Sequence, residues 1–206
     1  YYRWLITYLF GNSPIAEKNF FKPDEDQPQH EVRSIRSSNY GLTSDVTHNY
    51  RSVPDYVKNI ESNIASGALF SEAEYHSSVR LKTMHGDLTD MIKNGTEYIE
   101  LRMLDLDPTT ALGVRTSAIR FFRILLSYFM MMPTLESDEK INLKLEQGRA
   151  MNEVVALESP SQQTIYHHEA QTFLDQLQLF GAQIQWGPEY QEVLDTMQDR
   201  LDNPNL

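Results

Sequence analysis

Glu100 and Arg102 stand two residues apart in the run TEYIELRML, Thr96 to Leu104. On a β-strand that spacing sends both side chains out of one face, about 6–7 Å apart along the backbone. A carboxylate there offers a hard oxygen donor to a cation such as Mg²⁺. A guanidinium beside it can hold phosphate oxygens through two parallel hydrogen bonds. The same spacing also describes a surface ion pair that compensates itself. A second candidate is the small polar run SIRSSNYG over 34–41, which Arg33 precedes and which holds Arg36. Arg36 can clamp a carboxylate there, with Ser37, Ser38 and Asn39 adding hydrogen bonds. An exposed polar loop is the plainer reading of that composition.

Other chemistries fall away. His167-His168-Glu169 suggests zinc, but the helical zinc motif needs a second His four residues after the first, and position 172 is Thr. Adjacent side chains on a helix diverge by about 100°. His30, His48 and His85 stand alone. Cysteine is absent, which removes disulfides, thiolate nucleophiles and Cys-zinc sites. The chain has no Walker phosphate loop, no G-x-G-x-x-G and no G-x-S-x-G.

The elements that must position these residues follow from periodicity. In the strand at 96–104, Ile99, Leu101 and Met103 share one face, predicted to pack on the core. Tyr98, Glu100, Arg102 and Leu104 share the other. Val79-Arg80-Leu81-Lys82 alternates as a second strand would. Tyr1 to Phe10 has helical period and stops at Gly11. Ser52 caps a helix through Val53, Tyr56, Val57, Ile60 and Ile64, with Pro54 in its first turn. A short helix over 87–94 closes at Gly95. Ala118 to Met132 reads as a long core helix with Met130, Met131 and Met132 inside, ended by Pro133. Asp138 to Leu157 is helical with a break at Gly148, Gln163 to Phe180 is amphipathic and stops at Gly181, and Pro188 opens a last helix. Lys22 to Glu31 is the most linker-like stretch. The mixture is α+β.

The 206 residues carry 18 Lys+Arg against 29 Asp+Glu, a net charge of −11. That balance argues against nucleic acid and anionic membranes as partners, which select a basic footprint. A hydrophobic fraction of 40% is enough for a core. The most apolar run, Phe121 to Met132, is interrupted by Arg123 and Ser127, so it is too short to span a bilayer. The chain opens on Tyr1, already in a helical pattern, and reads as a piece of a longer, cytoplasmic protein.

Three segments together resemble bacterial glutamate–cysteine ligase (γ-glutamylcysteine synthetase). They are YRWLITYLFGNSP over 2–14, RSIRSSNYG over 33–41 and EYIELRMLDLDP over 97–108. Asp202-Asn203-Pro204 fits as well. SIRSSNYG and SSVRLK are nearest in character to the ligase half of bifunctional glutathione-synthesis enzymes. The resemblance runs along essentially the whole chain. It implies a glutamine-synthetase-like fold, a curved and mainly antiparallel sheet backed by helices, of which residues 1–206 are the C-terminal portion of the catalytic domain. It implies ATP-dependent ligation of the glutamate γ-carboxyl to cysteine through γ-glutamyl phosphate, the first step of glutathione synthesis, with Mg²⁺ (Mn²⁺ as an alternative). Glu100 matches a metal-binding glutamate, Arg102 an arginine near the transferred phosphoryl group, and Arg36 a substrate-contacting arginine. Leu42 and His76 stand where family members place tyrosines of the amino-acid pocket, with Tyr40 and Tyr75 close by. The missing N-terminal part of the domain implies that these residues alone are inactive. A glutathione synthetase domain as a further C-terminal partner also fits the resemblance. Two rivals remain: a related carboxylate–amine ligase with another amine, and a non-catalytic helical interaction module.

Overall fold

The computed structural model describes residues 1–14, 28, 30–41, 46, 48–84, 87–133 and 137–204. Most of the linker-like stretch at 22–31 lies outside the described residues, as do Leu42 and His85. The chain divides into one unit of residues 1–41 with 104–206, and a second unit of residues 42–103. Among the described residues it is a helix-rich α+β protein with one small antiparallel sheet.

The first unit is helical. Helix α1 (Arg3–Phe10) is buried from Trp4 through Leu9, which makes it the central element of this unit. It packs along α5 (Asp138–Leu157), which Ser137 caps through the Lys140 amide. Helix α5 is unbroken, so Gly148 does not end it. A Cβ at Gly148 would sit 2.6 Å from the Tyr1 carbonyl oxygen, and the residue is small to let the chain start approach. Helix α4 (Thr116–Met131) buries Phe121, Phe122, Ile124 and Leu125. Its last turn emerges from the core, with Met130 86% exposed, so the expected Met cluster is not interior. Helix α6 (His167–Gln183) runs through Gly181, which meets the Trp186 ring, and packs on α7 (Pro188–Asp202). Val193, Leu194, Met197 and Leu201 are the buried stripe of α7.

The second unit is built on α2 (Val53–Ala65), α3 (Leu88–Asn94) and the antiparallel pair β1 (Val79–Lys82) and β2 (Tyr98–Leu101), with α3 between the two strands in sequence. Ser52 caps α2 through the Asp55 amide, and Asp87 caps α3 through the amides of Thr89 and Asp90. Tyr56, Val57 and Ile60 of α2 join Met91, Leu69 and Tyr75 in one core cluster. Leu81 packs against it, and the Leu81 amide donates to the Tyr56 hydroxyl at 3.3 Å. The strand is shorter than its alternation suggests, and Ile99 is 38% exposed. The apolar face of β2 is therefore only partly covered in this chain.

Candidate functional site

The antiparallel register decides what surrounds Glu100. Arg80 is its direct cross-strand partner, and Lys82 lies opposite Tyr98. By alternation Arg80, Lys82, Glu100 and Arg102 share one face. Arg102 Nε lies 3.5 Å from Glu100 Oε1, and both side chains stay more than a third exposed. Arg80 is 7% exposed and donates to the Glu72 carbonyl at 3.1 Å. Lys82 Nζ lies 3.3 Å from Glu72 Oε1. Arg80 and Lys82 thus pair with the Glu72 carboxylate and Arg102 with Glu100, so three cations and two carboxylates meet at this face, one positive charge in excess in an acidic chain. Arg80 and Lys82 are legible as alternating strand residues, but their place beside Glu100 needs the register. His76 is half-buried, and its amide donates to the Glu74 carbonyl at 2.8 Å. Tyr75 is fully buried, with its hydroxyl on Asn59 Oδ1.

As to a metal, Glu100 alone fits one hard oxygen ligand of a Mg²⁺ ion, which keeps several waters and binds few carboxylates. Among the described residues no group of three or more His, Asp or Glu gathers to form a full set. His167 Nε2 instead lies 3.3 Å from Asp202 Oδ1, and His168 is exposed.

Arg36 belongs to the first unit, on a 3₁₀ turn over Ile35–Ser37 capped by the Ser34 hydroxyl. The turn is anchored from below. Thr7 donates to Asn152 Oδ1, and Asn152 Nδ2 donates to the Ser37 carbonyl, both at 2.8 Å and buried. The Arg36 side chain is 45% exposed, 3.5 Å from Asp105 Oδ1. Arg3 lies close by: burial pulls its guanidinium below the usual range, and the Arg36 cation adds to that, while Glu153 and Asp105 oppose it. Arg33 differs from the expected exposed loop. It is 3% exposed, stacks 4.4 Å from the Tyr8 ring, donates to the carbonyls of Ser159, Pro160 and Gln162, and faces Glu158 at 3.7 Å.

The same unit holds a cleft of about 480 Å³ lined in part by Asn12, Arg33, Asp105, Asp107, Arg115 and Arg200. Its arginines are already engaged: Arg115 with Asp107, Arg33 with Glu158, and Arg200 with the Leu9 carbonyl. Burial pushes the Asp107 carboxyl up, but hydrogen bonds from Thr109 and Arg115 outweigh it and hold it at about 2, below the ordinary 3.8. A carboxyl lowered in the folded state stabilises the fold above its unfolded value and loses that contribution as pH falls through the folded one. Asp107→Asn is therefore expected to flatten the loss of stability between about pH 4 and about pH 2 in urea unfolding. An acid slope equal to that of the parent chain would contradict this.

Comparison with known proteins gives a consistent result. A family model described as glutamate-cysteine ligase matches residues 48–153. The Glutathione biosynthesis bifunctional protein GshAB of Enterococcus faecalis is 42% identical over 163 residues, covering 77% of this chain and 21% of its own length. The protein of the same name from Streptococcus thermophilus is 34% identical over 99% of this chain and 26% of its own. The chain thus spans about a fifth to a quarter of the length of these curated relatives. Among solved structures, a bifunctional glutathione synthetase from Pasteurella multocida superposes with a TM-score of 0.83 at 28% identity, covering 98% of this chain and 26% of that one. A glutamate–cysteine ligase from Francisella tularensis in complex with AMP shares the fold, with a TM-score of 0.77 at 21% identity over 97% of this chain and 49% of that one. No helix among the described residues is long and apolar enough to cross a membrane.

Proposed function

Since the chain belongs to the glutamate–cysteine ligase family, we propose that it is the C-terminal portion, residues 1–206, of the catalytic domain of a cytoplasmic enzyme that joins the glutamate γ-carboxyl to cysteine at the expense of ATP. The product is γ-glutamylcysteine, the first intermediate of glutathione synthesis. The observation that carries this reading is the charged face of β1 and β2, where half-exposed Glu100 and Arg102 share a face with Arg80 and Lys82. The two strands are read as part of a larger curved, glutamine-synthetase-like sheet. A glutathione synthetase domain follows in the parent protein, as the name of the matched relatives suggests.

Glu100 supplies one carboxylate ligand to Mg²⁺ in this reading. The metal, when bound, neutralises phosphate charge that would oppose transfer. Arg102 holds equatorial oxygens of the transferred phosphoryl group, and its planar fork fits two oxygens at once. Arg80 and Lys82, which share the Glu72 carboxylate, add one net positive charge at this face while charge shifts from ATP to the acyl group. Arg36 receives a substrate carboxylate, and Leu42 and His76 line the amino-acid pocket. The γ-carboxylate oxygen of glutamate attacks the γ-phosphorus of ATP and ADP leaves. The cysteine amine then attacks the acyl carbon, and phosphate leaves with the former carboxylate oxygen.

That balance sets the test. Full-length protein given glutamate labelled with ¹⁸O in its γ-carboxylate, with ATP and cysteine, is expected to place one label in each inorganic phosphate released. Unlabelled phosphate would exclude the acyl phosphate route.

A further inference from the structure

Asp105 is a carboxylate 6% exposed, and a buried charge is costly unless its oxygens are satisfied. Its oxygens divide the work. Oδ2 accepts from the Asn12 amide and from the Ser13 hydroxyl, both at 2.9 Å. Oδ1 accepts no hydrogen bond and lies 3.5 Å from Arg36 Nη1. Ser13 closes the circuit from the other end. Its hydroxyl oxygen accepts from the Arg36 amide at 3.3 Å, and its carbonyl accepts from the Ile35 amide at 2.9 Å. Arg36 is therefore held at the backbone by Ser13 and at the guanidinium by Asp105, and Asp105 fixes Ser13.

We infer that Asp105 is a positioning residue for Arg36, keeping its guanidinium in the orientation that receives a substrate carboxylate. The inference rests on the reading of Arg36 as the substrate-contacting arginine. An arginine side chain left to itself samples many rotamers, and binding must then freeze them. A buried carboxylate 3.5 Å from one Nη lowers part of that cost before the substrate arrives. Asp105 has a second effect at the same place. Arg36 opposes the charge on Arg3, and Glu153 and then Asp105 offset that repulsion. The Arg36 side chain is half-exposed, with Nη1 3.5 Å from Oδ1 of the buried Asp105. Asp105 need not touch substrate, ATP or metal to do this.

The test uses the full-length enzyme, with affinity for each amino acid taken from steady-state kinetics or, where turnover is too slow, from calorimetric titration. Arg36→Gln is expected to weaken one amino-acid substrate about 10-fold or more. Asp105→Asn keeps the shape and an acceptor for Asn12 and Ser13 but loses the charge facing Arg36. It is expected to weaken the same amino acid about 10-fold, with the KM for ATP and the unfolding midpoint little changed. Added to Arg36→Gln, it is expected to cost less than about 2-fold more, because both act through one guanidinium. If Asp105→Asn does not fold, Ser13→Ala is read in the same three measurements. Unchanged amino-acid affinity in Arg36→Gln would remove the reading on which the inference rests. Weakened affinity in Arg36→Gln with none in Asp105→Asn would overturn the positioning role alone. So would additive losses, or an equal loss for ATP, which mark a merely structural residue.

Discussion

Glu100→Gln in the full-length protein is expected to lower kcat for ADP release about 100-fold or more, with the fold intact. The substitution preserves size and one oxygen but removes the negative charge. Arg102 then loses the Glu100 carboxylate as a partner, while Arg80 and Lys82 keep Glu72. A carboxamide oxygen is a weaker donor to a hard cation, so the residual activity should require more Mg²⁺ than the parent enzyme. Because Glu100 is more than a third exposed and its pairing with Arg102 is solvent-screened, its loss should cost little stability. Steady-state rates across a Mg²⁺ series, with intrinsic fluorescence as the folding control, read both effects. A kcat within about 3-fold of the parent would leave Glu100 as an ordinary surface ion pair.

Arg33→Met should have the opposite profile, a large loss of stability from a residue assigned no chemistry. The guanidinium is buried and satisfies three carbonyls in the 159–162 loop beside the Glu158 carboxylate. Removing one member of a buried pair strands the other, at about 3–5 kcal/mol. Glu158 keeps the Thr164 hydroxyl and the Ile165 amide, so part of its charge remains solvated by the chain. Burial already pushes its carboxyl up, and loss of Arg33 would push it further. Against a typical folding stability of about 5–15 kcal/mol this is a severe change. Urea unfolding of Arg33→Met and of Arg33→Met with Glu158→Gln measures it, and the double variant should recover part of the loss. A change under about 1 kcal/mol in the single variant would contradict the burial argument.

The helices and their caps are legible because period and capping chemistry are local. Ser52, Asp87 and Ser137 each accept from an amide two or three residues on, which a short window of sequence contains. The strand pair is legible for the same reason, since alternation forces Glu100 and Arg102 to one face. What depends on distant partners is not. Arg33 reads as an exposed loop residue because its carbonyl partners lie 126–129 residues later. Asp105 draws no attention until Asn12 and Ser13, more than ninety residues earlier, are placed beside it. Gly148 reads as a helix break, yet its smallness serves the approach of Tyr1, a contact made across the whole of the intervening chain. Met130, Met131 and Met132 read as core because an apolar run has no polar face to mark where a helix leaves the interior. The roles of Glu100, Arg102, Arg36, Leu42 and His76 come from the resemblance and stand as proposals. For the first two, the register adds the cationic neighbours.

The measurement that bears most directly on the central claim is ADP release by the full-length protein with Mg²⁺, glutamate and cysteine, each omitted in turn. Ligation through γ-glutamyl phosphate predicts rapid turnover only when both amino acids are present, with γ-glutamylcysteine formed in equal amount to ADP. Turnover that ignores cysteine and accepts another amine would make this a related carboxylate–amine ligase. A folded full-length protein with no turnover on any amine would contradict the enzymatic reading and leave the family likeness as ancestry alone.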